Sequence, residues 1–408
     1  MMPLKRPAEV LERGIMPAAV VCHKIRQLLS DHVSPEVRES TLDRLTLLVT
    51  GMIKGKSASP AAIAKAVHTL GLSGAKPESI ERRVRRIEND DQVTAALCFH
   101  PFAKERLLWG RPSELLLIMD PTTEEDDVVM LSAAIWYRGR ALPLAWAVWP
   151  ANTPLEGDGF WTRVEALLAL VAELLPLRVK VTWLADRAFG TPAFTDLLTQ
   201  RGWHYAVRVQ GQTRYRDRRG VERPVKDLVR VPGQRSKLRG RVFKKRGWRE
   251  ASVIVYWGRS FDDPLCLVSD LPPRWYLLRW YRRRYGIEAT FRDYKSYGWR
   301  WEQGQVRDIA HIERLLVGMA LATWIALFAG TQVAAEYLAN VPAGGRRTRP
   351  WAAKRSLFHL GLEKLHQALQ ADYPVPLHQE LTDWDAPNWS RQLFTRCVRN
   401  LVFAPPGS

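Results

Sequence analysis

Between residues 114 and 209 the chain sets out a fixed order of apolar runs, and few architectures accommodate it. Glu114-Leu-Leu-Leu-Ile-Met-Asp120 is a short apolar run that ends in an acid. Val128 to Tyr137 and Ala141 to Trp149 are two further runs rich in strand formers, separated by the turn-like Arg138-Gly139-Arg140. Together they predict a meander of three antiparallel strands. Gly159 to Leu175 has the pattern of an amphipathic helix closed by Pro176. Val179 to Ala185 is apolar on both faces, as a buried parallel strand is, and it ends at Asp186. A helix over Thr191 to Gln200 and a fifth strand over Trp203 to Val209 complete the series.

Three antiparallel strands, helix, strand, helix, strand is the order of the ribonuclease-H-like fold, an α/β architecture with a mixed five-stranded sheet and helices on its faces. We expect that catalytic core over 111–210 and 273–335, interrupted by a basic β-rich insertion over 211–272. Helical segments should flank it, an N-terminal DNA-binding region over 1–110 and a linker with a helical tail over 336–408. Pro272-Pro273 should open a long helix to about Tyr297, with a second from Ile309 to Gly330. In the N-terminal region, Ser59-Pro60 caps one helix, and Pro77 to Ile87 carries Ile80, Val84 and Ile87 at helical spacing. Arg82, Arg83, Arg85 and Arg86 occupy the other face, so the pair resembles a helix-turn-helix with Arg82 and Arg83 as DNA contacts. An ordinary helical pair with a solvated basic face has the same pattern.

Charge narrows the partner. Lys and Arg number 61 against 42 Asp and Glu, a net charge of +19, and 46 of the 61 are Arg, the residue suited to bidentate phosphate contacts. Such a balance in a large folded chain points to nucleic acid. Residues 201–260 hold 18 Lys/Arg and 4 Asp/Glu. With few acidic partners in the sequence, Arg239, Arg241, Lys244 and Lys245 are expected to meet DNA backbone. The dense run Glu124 to Asp127 suggests a solvated turn. Cys22, Cys98, Cys266 and Cys397 form no metal-binding pair, and a reducing intracellular setting is the default. The apolar run Leu315 to Gly330 is short for a membrane span and is expected to be a buried helix, so no membrane partner is expected. No ATP-binding loop and no metal-spaced His are present.

Asp120 and Asp186 each end a predicted strand, where α/β sheets place catalytic groups, although turn formers and caps occupy such positions too. A third acid, Glu288, sits in the long predicted helix. At 100° per residue, Tyr281, Arg284 and Lys295 share with it a stripe of about 60°. Tyr276, Trp280, Ile287, Phe291 and Tyr294 form the apolar face beside it. The stripe therefore borders the core, and a helix-stabilising Arg–Glu ladder is the plain alternative.

Tyr281-x2-Arg284-x3-Glu288-x6-Lys295 resembles the YREK signature of insertion-sequence DDE transposases, the group called insertion-sequence family four. Ile118-Met-Asp120-Pro-Thr122 is similar to the first-acid motif of that family. Trp183-Leu-Ala-Asp186-Arg-Ala-Phe189-Gly190 is similar to the second, with Ala188 where Gly is typical. The resemblance covers about 110 to 335. It implies that Asp120, Asp186 and Glu288 are the catalytic triad, holding two Mg²⁺ ions with Mn²⁺ able to substitute. Three carboxylates without His or Cys suit such a hard cation, and they are expected within about 4–8 Å of one another. Tyr281, Arg284 and Lys295 would hold terminal phosphates, joined by Arg187 next to the second acid. The partners would be terminal inverted repeats and target DNA, engaged by a homodimer on paired ends in the bacterial cytoplasm or nucleoid. Some relatives stack a flipped base on a Trp preceding a strand like Pro264 to Ser269; Leu265 stands there in this chain, leaving Trp248 and Trp257 as candidates. The implied activity is cut-and-paste transposition. A nuclease that cleaves without joining, or an inactive DNA-binding regulator, are the two other readings.

Overall fold

A computed structural model of the chain describes residues 17–339 and 356–371, except positions 111, 125, 126, 154, 156, 158 and 305 and the side chains of 335–339. The expected linker at 341–350, the chain beyond 371, and Glu125 and Asp126 lie outside the described residues.

The apolar runs become strands β1 (Glu114–Glu124), β2 (Val128–Tyr137) and β3 (Arg140–Pro150), then helix α6 (Gly159–Leu174), β4 (Lys180–Ala185), α7 (Pro192–Gln200) and β5 (His204–Arg208). β2 lies antiparallel between β1 and β3, while β1, β4 and β5 run parallel. The resulting order β3-β2-β1-β4-β5 is the ribonuclease-H-like sheet. Leu115 to Met119 of the central strand β1 form a continuous apolar run because both faces are covered there. Leu115, Leu117 and Met119 of β1 enter one core, Leu116 and Ile118 the other.

The sheet does not stop at β5. Residues of the basic stretch form β6 (Arg214–Arg216), β7 (Glu222–Pro224), β8 (Arg235–Val242), β9 (Arg249–Tyr256) and β10 (Leu265–Ser269). β10 pairs antiparallel with β5, and β9, β8, β6 and β7 follow it outward, giving ten strands in one sheet. Backbone hydrogen bonds thus continue the core sheet along the edge that β5 would otherwise leave unpaired.

The larger core lies between one sheet face and the helices α1 (Pro17–Ser30), α2 (Glu39–Gly55), α3 (Pro60–Thr69), α4 (Pro77–Arg85), α5 (His100–Gly110), α10 (Ile309–Ala339) and α11 (Leu357–Gln370). α10 runs past the expected end at Gly330. It is long and apolar enough to cross a membrane, but 89% of its most apolar stretch is buried inside the protein. Trp324 Nε1 donates to the Pro143 carbonyl at 2.8 Å, which ties α10 to β3.

The opposite sheet face is covered by α8 (Tyr276–Arg283) and α9 (Gly286–Arg292). The expected single helix from Pro272 to Tyr297 is therefore two short helices that meet at Arg284 and Tyr285, followed by a wide π turn over Asp293–Tyr297. The break brings α9 close to the β2–β3 corner. A Cβ on Gly286 would lie 3.3 Å from both the Arg140 carbonyl carbon and the Trp136 ring, so only glycine permits this approach without displacement. Thr290 Oγ1 then accepts from Ala141 N and donates to Ala141 O, each at 3.0 Å. Arg140 Nε donates to Asp293 at 2.8 Å. These bonds fix the rotation of α9 over the sheet, and with it the position of Glu288.

Candidate functional site

β1 and β4 are in register up to Met119 beside Ala185. One residue further on, Asp120 leaves that pairing while remaining paired with Ser132 of β2. Asp120 therefore does not end its strand, as expected from sequence; β1 continues through Glu124 along β2. The side chain lies on the face covered by α9 and is only 12% exposed. Asp186 follows β4 directly and accepts from Ala188 N at 2.8 Å, capping the short turn that carries exposed Arg187. Glu288 reaches in from α9, its side chain 48% exposed.

Arg284 joins two of these acids. Its Nη1 donates to Asp120 Oδ2 and its Nη2 to Glu288 Oε1, both at 2.7 Å. The guanidinium is itself buried, 4.9 Å from the Tyr285 ring centre and 6.0 Å from that of Tyr281. Burial raises the Asp120 carboxyl to about 7; Arg284 opposes this, and the charges of Asp186 and Glu288 add to it. Burial likewise pushes the Tyr281 hydroxyl up, so it stays a neutral donor.

The acids were expected to gather around metal directly. Among the described residues, no three His, Cys, Asp or Glu side chains converge as a ligand set for one ion. The Arg284 guanidinium stands between Asp120 and Glu288. The donor set still fits a hard divalent cation. Three carboxylates from separate elements adjoin one another closely enough for both of the others to shift Asp120, and a cation already stands between two of them.

Lys295 departs further from expectation. The count of 100° per residue fails across the π turn, and its ammonium reaches the end of β1 rather than the Glu288 stripe. It donates to the Thr123 carbonyl and stands 3.8 Å from Glu124 and 4.0 Å from Glu302. Glu124, expected in a solvated turn, is correspondingly buried.

Arg208 is a residue that sequence patterning missed. Val207 pairs beside Ala185, and Ala206 faces the α8–α9 layer, so strand alternation puts Arg208 on that face at the level of Asp186. The charges of Arg208 and Asp186 both reach the Tyr281 hydroxyl. Its signal was its place at the end of the fifth strand.

The same face continues across the basic strands. Lys237 pairs with Ile254, which shares the core of Ile118 and Leu267, so Arg235, Lys237, Arg239 and Arg241 form a row along β8 at steps of about 6.7 Å. Arg235 and Lys237 lie 4.9 and 5.6 Å from the Trp275 ring centre. Arg239 donates to the Asp270 carbonyl at 3.4 Å. The expected shortage of acidic partners is corrected in part. Arg241 meets Glu250 at 2.8 Å, because antiparallel pairing of β8 with β9 puts that acid across from it, and Lys244, in the turn after β8, meets Glu222 of β7 at 2.6 Å. Lys245 is exposed. Of the candidate stacking residues, Trp248 lies under Arg216 at 4.4 Å and Trp257 Nε1 donates to the Phe261 carbonyl. Leu265 is packed beside the core beneath α8. Arg82 and Arg83 stand exposed on α4.

Residues 162–325 match the family model described as the transposase DDE domain, a stretch that includes Asp186, Arg284 and Glu288 and begins beyond Asp120. No curated protein matches the chain. Among solved structures, the cryo-EM structure of a piggyBac transposase synaptic complex with hairpin DNA is similar at 13% identity, covering 98% of this chain and 88% of that one, with a TM-score of 0.46. In the metal-free protein, the raised Asp120 carboxyl makes stability fall as pH rises from about 4 to about 7, because the folded form keeps a proton that the unfolded form has lost. Asp120→Asn should therefore gain on the wild type across that window in thermal unfolding; parallel curves would refute the assigned shift.

Proposed function

We propose that the chain is a DNA transposase that cleaves phosphodiester bonds at the ends of its element and joins the freed 3′ ends to target DNA. The observation that carries this proposal is the meeting of Asp120, Arg284 and Glu288, with Asp186 alongside, in a chain whose residues 162–325 match a transposase DDE domain. Asp120, Asp186 and Glu288 would hold two Mg²⁺ ions, or Mn²⁺ in their place. When bound, such ions neutralise charge on the attacking and leaving oxygens of a phosphodiester. The remaining work belongs to the chain. Arg284, Arg208 and Arg187 offer fork-shaped donors to the phosphates flanking the scissile bond, and Tyr281 offers a neutral hydroxyl. The Tyr281–Arg284–Glu288–Lys295 spacing supports placement in the YREK-signature group, with Lys295 needing to leave the end of β1 to reach DNA. The row on β8 would carry the duplex backbone, α4 would read the terminal repeats, and two copies would act on paired ends.

Incubating the protein with Mg²⁺, a duplex bearing the inverted repeats that flank its gene, and a target plasmid tests this directly. Cleaved ends joined to target support the proposal, and cleavage without joining favours a plain nuclease. No cleavage of any duplex would leave a DNA-binding regulator. Binding titrations divide the labour between surfaces. Arg239→Ala with Lys245→Ala should reduce the slope of log affinity against log salt by about 0.9 per lost phosphate contact. Arg82→Ala with Arg83→Ala should reduce the preference for the chain's own ends over unrelated duplex. An unchanged slope removes the β8 row from the interface, and an unchanged preference removes α4 from recognition.

A further inference from the structure

We infer that Arg284 is an internal cation that holds the carboxylates in a metal-excluding arrangement until a DNA phosphate draws it away, so that DNA and divalent metal bind cooperatively. The inference rests on the proposed function, in which Asp120, Asp186 and Glu288 are the metal ligands.

Four observations support it. The guanidinium spans Asp120 and Glu288 with one nitrogen on each, so it occupies carboxylate oxygens that a metal would need. It is fixed rather than a loose surface side chain, being buried beneath the rings of Tyr285 and Tyr281. No ready ligand set for an ion is present among the described residues while this bridge stands. Finally, the bridge leaves the buried Nε of Arg284 without a hydrogen-bond partner. A guanidinium with an unmatched buried donor is better satisfied by a phosphate, which can take two parallel donors in a fork. Arg284 also lies where α8 and α9 meet, so its main chain can adjust without unwinding either helix. Moving it onto a phosphate frees Asp120 and Glu288 together. By reciprocity, whatever DNA gains from Arg284 in this way appears as tighter metal binding.

The test is Mn²⁺ binding to the full chain, followed by the paramagnetic resonance of free Mn²⁺, with and without a short DNA duplex at low salt. The wild type should bind Mn²⁺ weakly alone and about tenfold more tightly with duplex, within the usual range of coupling between sites. Arg284→Ala should bind Mn²⁺ tightly without DNA and show almost no further gain with it. Arg284→Lys keeps the charge but cannot bridge both acids, so its coupling should be much reduced; it decides the matter if the Ala variant does not fold. Lys180→Ala, at the opposite end of β4 from Asp186, removes an exposed charge without touching the bridge and should retain the coupling. Full coupling in either Arg284 variant, equal loss in Lys180→Ala, or tight Mn²⁺ binding by the free wild type overturns the inference. Asp120→Ala and Glu288→Ala separate the two levels. If they leave Mn²⁺ binding unchanged with DNA present, the metal-ligand assignment itself fails. If they abolish it while Arg284→Ala keeps full coupling, only the role of Arg284 fails.

Discussion

Replacing any one of Asp120, Asp186 or Glu288 with Ala is expected to lower strand cleavage at least a thousandfold, roughly to background, while duplex binding persists. The three side chains come from a strand interior, a strand end and a helix, and Arg284 bridges two of them. Under the proposed function, phosphodiester hydrolysis at this face would depend on carboxylates to gather positive charge, and two carboxylates could not replace the third. Duplex binding would rest on other groups, Arg208, Arg187 and the row on β8. Asp120→Ala and Glu288→Ala also release one arm of Arg284, so their affinity for duplex should hold or increase. Cleavage gels beside binding titrations provide the check. A variant that keeps wild-type cleavage removes that residue from the site, and one that loses binding in proportion to cleavage points to a folding role.

The second large effect concerns stability. α10 and α11 cross with their backbones in contact. A Cβ on Gly361 would lie 1.6 Å from the Ala326 carbonyl oxygen, and one on Gly330 would lie 1.9 Å from that of Leu357. These are main-chain atoms within helices, so a side chain can be accepted only by separating the helices. Gly361→Val should cost about 3 kcal/mol or more, at or beyond the upper end of ordinary overpacking. The consequence extends to the site, because α11 places Phe358 edge-on against Trp299, and Trp299 N donates to the carbonyl of Asp293 in the π turn. Urea unfolding should show a lower midpoint for Gly361→Val and for Gly330→Ala. Gly74→Ala, where an added Cβ meets nothing within 4 Å, should leave it unchanged. Equal midpoints for Gly361→Val and the wild type would mean that the helices do not cross as described.

The strands of the core were legible because burial on both faces leaves continuous apolar runs, and the two aspartates were legible because they interrupt those runs. That β1 continues past Asp120 was not, since Pro121 to Glu124 has the composition of a loop and is held extended by pairing with β2. The helical count located Arg284 beside Glu288 because four residues span about one turn. It failed for Lys295 because a wide π turn intervenes, and the tertiary bonds of Asp293 that accompany this turn leave no periodic signal. The acids that partner Arg241 and Lys244 are 9 and 22 residues away in sequence, so they face one another only through sheet register and the packing of neighbouring strands. Arg208 escaped notice for the same reason, since its nearness to Asp186 follows from parallel pairing between strands joined by a helix.

Under the proposed function and the inferred role of Arg284, Asp120, Asp186 and Glu288 form one metal site for DNA chemistry, with Arg284 turned to phosphate. Anomalous diffraction from crystals of the protein with Mn²⁺ and a duplex carrying its own ends measures this most directly. We predict Mn²⁺ on oxygens of Asp120 and Asp186, Glu288 completing the site, and the Arg284 guanidinium on a phosphate. Mn²⁺ bound elsewhere in the DNA complex, with Arg284 still bridging Asp120 and Glu288, would contradict it.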